Sequence, residues 1–181
     1  MPDYALAILP AGWVLWMAPF LLMKRAGAPA KLDRRARWGI LLEGLGFACV
    51  WFGPFWTRHP EAWRIALAAP FFLLGSLLSW TAARALGRHW RIDAGLNQDH
   101  ELVRTGPYRV VRHPIYASML SMLIATGLAI ALWPLFAVGV VLFVIGTEIR
   151  VGIEDALLLS RFGDQFRDYQ RSVAAYIPWV R

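Results

Sequence analysis

The chain has one cysteine, Cys49, in 181 residues, which excludes an intrachain disulfide and any cysteine-rich metal centre. It also lacks a Walker loop, a GxGxxG fingerprint, a GxSxG elbow and an HExxH helix, so phosphate-cradling, dinucleotide and metalloprotease chemistry find no motif to rest on. Its four histidines, His59, His89, His100 and His113, do not repeat at ligand spacing on a helix face, so no metal is expected. Charged residues are scarce at 17%. No internal repeat and no low-complexity linker divides the chain.

Long apolar runs are abundant. The chain is 58% hydrophobic with mean hydropathy +0.46, too apolar for an ordinary soluble domain. Spanning the hydrocarbon of a bilayer takes about 20 mostly apolar residues, and the runs Tyr4–Met23, Trp38–Trp56, Trp63–Leu86 and Ile115–Ile149 reach that length. Trp133-Pro134 interrupts the last run and predicts a helical hairpin. The expected fold is therefore all-α: a single polytopic integral membrane domain, 1–181, of five transmembrane helices. Residues 1–86 form a three-helix scaffold, and 87–181 carry the polar segments and the hairpin. Lys and Arg concentrate in 24–37, 84–112 and 150–181, which hold six, six and five of the 19. By the positive-inside rule this predicts an outside N-terminus and a cytoplasmic C-terminus. The first helix begins with an acidic residue and is followed, not preceded, by basic residues, the reverse of a secretory leader. The net charge of +7 is spread over membrane-flanking loops, where it meets membrane lipids; it forms no stripe for nucleic acid.

Residues 100–120, HELVRTGPYRVVRHPIYASML, crowd two histidines, three arginines and two prolines against the start of an apolar helix. Pro114 suits the first helical turn, so this connector should be ordered against a helix N-terminus, where amide donors suit a carboxylate. Further on, Arg150 and Glu154 are four apart and share a helix face, with Asp155 beside them. Apolar residues continue at Ile153, Leu157, Phe166, Tyr169 and Val173, broken at Phe162-Gly163, as in a helix lying at the membrane surface or walling a site. Glu43 lies inside the second run, and an ionisable group there is either functional or paired with a basic neighbour. The residues alone thus predict a cytoplasm-facing site of imidazole, cationic and anionic groups, open to the bilayer.

The connector, then Arg150-x-x-x-Glu154-Asp155, Phe162-Gly163, Tyr169 and Pro178, resembles the isoprenylcysteine carboxyl methyltransferase family, integral membrane enzymes related to the phospholipid N-methyltransferases. The likeness covers about residues 86–179; the first three helices resemble only generic spans. It implies a cytoplasm-facing site for S-adenosylmethionine, lined by His100, Glu101, Leu102 and Val103, by Tyr108, by His113, Pro114, Ile115 and Tyr116, and by Glu154. Arg150 would face the methyl acceptor, so that Arg150 and Glu154 are the expected catalytic pair. The family often has two glutamates where Glu154-Asp155 stands, and a tyrosine where Phe166 stands. The implied reaction is carboxyl O-methylation of an isoprenylcysteine-like lipophilic acceptor entering from the bilayer. The alternatives are phospholipid N-methylation, thiol methylation, an NADPH-dependent reductase of the sterol type, whose catalytic half has a similar His-Pro-x-Tyr segment, and a non-catalytic membrane scaffold.

Overall fold

A computed structural model describes residues 3–23, 31–52, 60–87, 95–96 and 101–178. The described residues form six α-helices: α1 Asp3–Leu22, α2 Ala36–Trp51, α3 Ala62–Leu86, α4 Pro114–Ile130, α5 Trp133–Phe162 and α6 Asp164–Ser172. A two-residue antiparallel pairing of Lys31–Leu32 with Gly95–Leu96 is the small β element beside them. Among the described residues, α3 and α5, of 25 and 30 residues, are long and apolar enough to cross a membrane. Ala7–Leu22 and α4 are shorter apolar helices.

Local sequence sets the breaks. Pro114 opens α4 with its ring already at a helical φ. Ala131 and Leu132 are extended, and Trp133-Pro134 opens α5, so the hairpin turn falls where the proline predicts it. α5 ends at Gly163, whose φ of +52° is a conformation that side chains with a Cβ avoid. The expected second run to Trp56 is shorter in the fold, since α2 ends at Trp51 and residues 53–59 lie outside the described set. The hairpin arm is longer: α5 continues unbroken past Ile149 to Phe162. A single glycine, Gly152, costs a helix only about 1 kcal/mol, and nothing else in that stretch breaks it. Arg150, Glu154 and Asp155 therefore ride on the rigid continuation of a core helix.

Two helix pairs build the bundle, α2 against α5 and α3 against α4, with α1 laid along α3. The α2–α5 crossing is made by glycines. A Cβ on Gly146 would sit 2.6 Å from the Gly39 carbonyl oxygen, and one on Gly139 would sit 2.7 Å from that of Gly46. Lipid tails are as apolar as leucine, so helices in a bilayer gain by backbone proximity and close packing. Gly146→Ala should accordingly destabilise the fold by about 1–3 kcal/mol, visible as a lower Tm in detergent; an unchanged Tm would contradict the close crossing. Indoles tie α1 to α4, Trp13 donating to Thr126 at 3.2 Å and Trp16 to Ser118 at 3.1 Å. Leu15, Leu21, Leu45, Leu73, Val141 and Ile145 remain exposed on the outside of the bundle, an arrangement that suits lipid and not water.

At one end of the bundle Arg64 of α3 is buried and donates to the carbonyls of Gly127, Leu128 and Ala131 at 3.2, 2.6 and 2.7 Å. These belong to the last turn and cap of α4, so a cation closes that helix C-terminus. Its guanidinium also lies 5.0 Å from the Trp133 ring centre. The opposite end gathers the N-terminus of α4, the C-terminal half of α5 and the connector.

Candidate active site

The connector is fastened before it reaches the site. After a 3-10 turn at Gly106–Arg109, Val111 bridges Ala174 in parallel, and the amides of Arg112 and His113 donate to the carbonyls of Ala174 and Ala175, each at 2.8 Å. Tyr169 of α6 donates to the Tyr108 carbonyl at 2.5 Å. The C-terminal segment thus runs beside the connector, joined to it by a single bridge and two amide hydrogen bonds, and fixes the mouth of α4.

Five elements then converge: the connector, α2, α4, α5 and α6. His113, the residue before Pro114, meets Asp155 through Nε2 at 2.8 Å and Glu154 through Nδ1 at 3.4 Å. Arg112 donates to Asp155 at 3.1 Å, and Gln170 of α6 donates to the same oxygen at 3.0 Å. Arg112 also donates to the carbonyls of Gln170 and Val173. Tyr116, in the first turn of α4, donates its hydroxyl to Glu154. Arg150 places its guanidinium 4.9 Å from the Tyr116 ring centre and donates to Glu43 of α2 at 2.9 Å, while Glu154 lies 3.9 Å from it. Thr147 donates to the other Glu43 oxygen at 3.1 Å. Three cationic groups, Arg112 and His113 of the connector and Arg150 of α5, therefore interlock with three carboxylates, Glu43 of α2 and Glu154 and Asp155 of α5.

The two adjacent acids differ in kind. The Asp155 side chain is 9% exposed and the Glu154 side chain 25%. Consecutive helical residues point about 100° apart: one acid turns inward to fasten the connector and α6, and the other stays within reach of solvent. Burial alone would lower the pKa of His113, but its bonds to Asp155 and Glu154 outweigh that and hold it at about 9. A histidine raised in this way contributes stability that is complete below its ordinary 6.5 and is lost as pH rises through 9. The Tm in detergent should therefore decline between those limits, and His113→Gln should flatten the decline.

Of the residues expected at the site, His113, Tyr116, Arg150 and Glu154 come together; Pro114 follows His113 as the first residue of α4, and Ile115 packs instead against the apolar core that holds Leu9, Trp16 and Phe72. Tyr108 is buried and its carbonyl accepts from Tyr169, while burial and the charge of Glu154 push its phenol well above the ordinary range. Glu101 is exposed and Leu102 and Val103 are half-buried at the connector's start, and His100 lies outside the described residues. Phe166 is fully buried against Tyr169, with ring centres 6.3 Å apart. Glu43 was an open candidate in the sequence, and its signal was an acid within an apolar run. Arg112 and Gln170 were missed, because a residue that fastens a loop has no motif.

The phospholipid methyltransferase family matches residues 63–165, a span that contains the connector, the hairpin and both acids. The chain belongs to the phospholipid methyltransferase family. Its relatives include a methanethiol S-methyltransferase of Mycobacterium tuberculosis, 38% identical over an alignment of 141 residues that covers 68% of this chain and 53% of that protein. A protein-S-isoprenylcysteine O-methyltransferase of Tribolium castaneum is 31% identical over 113 residues, 60% of this chain and 39% of that one. Another, of Schizosaccharomyces pombe, is 29% identical over 126 residues, 62% and 49% respectively. The chain thus spans about half, or less, of the length of these relatives. The likeness to isoprenylcysteine methyltransferases seen in the connector and the Arg150–Asp155 motif is borne out by these relatives of the family.

Proposed function

We propose that the protein is an integral membrane methyltransferase that uses S-adenosylmethionine to methylate the carboxylate of an isoprenylcysteine-like lipophilic acceptor. The observation that carries this reading is the cluster on α4 and α5, inside the family-matched residues, in which one acid is buried and the other reaches solvent. Its donor set suits a cationic methyl donor: Glu154 offers a partly exposed carboxylate beside the rings of Tyr116 and His113. Glu101, Leu102, Val103, Tyr108, His113, Pro114, Ile115, Tyr116 and Glu154 would hold the donor, with His100 before them in the connector. S-adenosylmethionine supplies an electrophilic methyl group on a sulfonium.

The residues of this chain bind and orient. Most of the acceleration in such a transfer can come from proximity and preorganised charge, and no covalent nucleophile is needed. A carboxylate acceptor with an α-carboxyl pKa near 3.5 is ionised at neutral pH and needs no base. Arg150 would orient it, as arginine does for carboxylates. The exposed leucines and valines suit a lipid surround; in this reading five helices span, the Lys and Arg distribution sets the N-terminus outside and the cluster at the cytoplasmic face, and the acceptor enters from the bilayer.

Thiol methylation is a second reading, favoured by the methanethiol S-methyltransferase relative, which aligns with more of this chain than the O-methyltransferases cited. A thiol with pKa near 8.5 must lose its proton, and Glu154 would then serve as base. The test is transfer of a radiolabelled methyl group by purified, detergent-solubilised protein to a farnesylcysteine, a phosphatidylethanolamine and a small thiol. Base-labile label on the farnesylcysteine is expected. Label on the thiol alone would move the reading to S-methylation, label on the phospholipid alone to N-methylation, and no label at all would overturn it.

A further inference from the structure

The scaffold helix α2 contributes a residue to the cluster that the connector and the hairpin do not supply. Glu43 is 2% exposed, and both of its oxygens are used within the bundle, one by Arg150 at 2.9 Å and one by Thr147 at 3.1 Å. The glycine crossings on either side, Gly39 with Gly146 and Gly46 with Gly139, bring the α2 backbone close enough to α5 for this short reach. A buried carboxylate is costly unless it is paired and hydrogen-bonded, and this one is held by both bonds. Glu43 is also nearer to the guanidinium than Glu154, which lies 3.9 Å away. Arg150 is therefore anchored on the scaffold side, with its guanidinium carbon over the Tyr116 ring, 4.9 Å from the ring centre. The alternative rotamer, a closer i,i+4 pair with Glu154 on its own helix, would draw Arg150 toward the more exposed side.

We infer that Glu43 is a positioning residue for methyl transfer, fixing Arg150 through the α2–α5 crossing so that the guanidinium is set for the acceptor. This rests on the functional reading above, in which Arg150 serves the acceptor and Glu154 the donor. Glu43 touches neither, and acts through Arg150. The three-helix scaffold then does more than hold the catalytic half in the membrane, because it sets the orientation of a site residue 107 positions further along the chain.

The test is a double-mutant cycle on purified protein in detergent, with S-adenosylhomocysteine affinity and acceptor kcat/KM measured for each variant. Glu43→Gln should lower kcat/KM for the acceptor at least tenfold while S-adenosylhomocysteine affinity stays within about threefold. Glu43→Asp, which keeps the charge on a shorter stem, should recover part of the loss. Glu43→Gln in an Arg150→Gln background should cost nothing further, since the residue acts through the guanidinium. That double variant carries no lone buried charge, so it also remains measurable if Glu43→Gln alone folds poorly. Additive losses, or a parallel fall in S-adenosylhomocysteine affinity, would show a merely structural role and overturn the inference. A wild type that binds no S-adenosylhomocysteine and transfers no methyl group would overturn the functional reading and this inference with it. A wild type that does both, with Glu43→Gln indistinguishable from it, would overturn this inference alone.

Discussion

Glu154→Gln should weaken S-adenosylhomocysteine binding by roughly 10- to 100-fold while the protein stays monodisperse in detergent. A hydrogen bond to a charged group contributes about 1.5–3 kcal/mol, and each 1.4 kcal/mol is tenfold in affinity. The substitution keeps the shape of the side chain and an oxygen for the Tyr116 hydroxyl, so the packing between α4 and α5 should survive. The charge facing a cationic ligand is removed, and with it the weaker contacts of that charge with His113 at 3.4 Å and Arg150 at 3.9 Å. The folded state should change little because Glu154 already keeps a quarter of its surface in solvent. Calorimetric titration reads the affinity and gel filtration the state of the protein. Unchanged affinity would remove Glu154 from the donor site.

Asp155→Ala should have the opposite profile, a large loss of stability. Asp155 is met by His113, Arg112 and Gln170, which come from the connector and α6. Truncating it leaves Arg112 and a protonated His113 buried without their acid. Breaking a buried ion pair in this way typically costs about 3–5 kcal/mol, which for a chain of this size corresponds to a Tm lower by roughly 10 °C. Asp155→Asn, which retains hydrogen-bonding capacity, should lose less. Equal stability of Asp155→Ala and the wild type would mean that the aspartate does not fasten the connector. The two adjacent acids would thus separate cleanly in experiment, Glu154 affecting binding and Asp155 affecting folding.

That separation was not legible in the sequence. Two neighbouring acids look interchangeable there, and their roles diverge only because helical rotation sends one inward and the other outward. The hairpin was legible, because Pro134 and Pro114 mark helix starts by their own covalent geometry. So was the break at Gly163, which takes a positive φ. The convergence of His113, Tyr116 and Glu154 was approached through resemblance more than through physics, since nothing in the spacing of 113 and 154 says that α4 and α5 fold back on each other in register. The partnership of Glu43 with Arg150 was visible only as an unexplained acid in an apolar run. It is made by tertiary packing, through glycines whose close approach a sequence of small residues permits but does not specify. The continuation of α5 past Ile149 was missed because the charges from Arg150 onward suggested a new surface element, whereas the helical pattern itself never breaks there.

In the proposed function, the cluster at the mouth of α4 binds S-adenosylmethionine. Calorimetric titration of the purified, detergent-solubilised protein with S-adenosylhomocysteine, with NADPH as the matched control, tests it most directly. Saturable binding of S-adenosylhomocysteine alone is the predicted result, and binding of NADPH alone, or of neither compound, would contradict it.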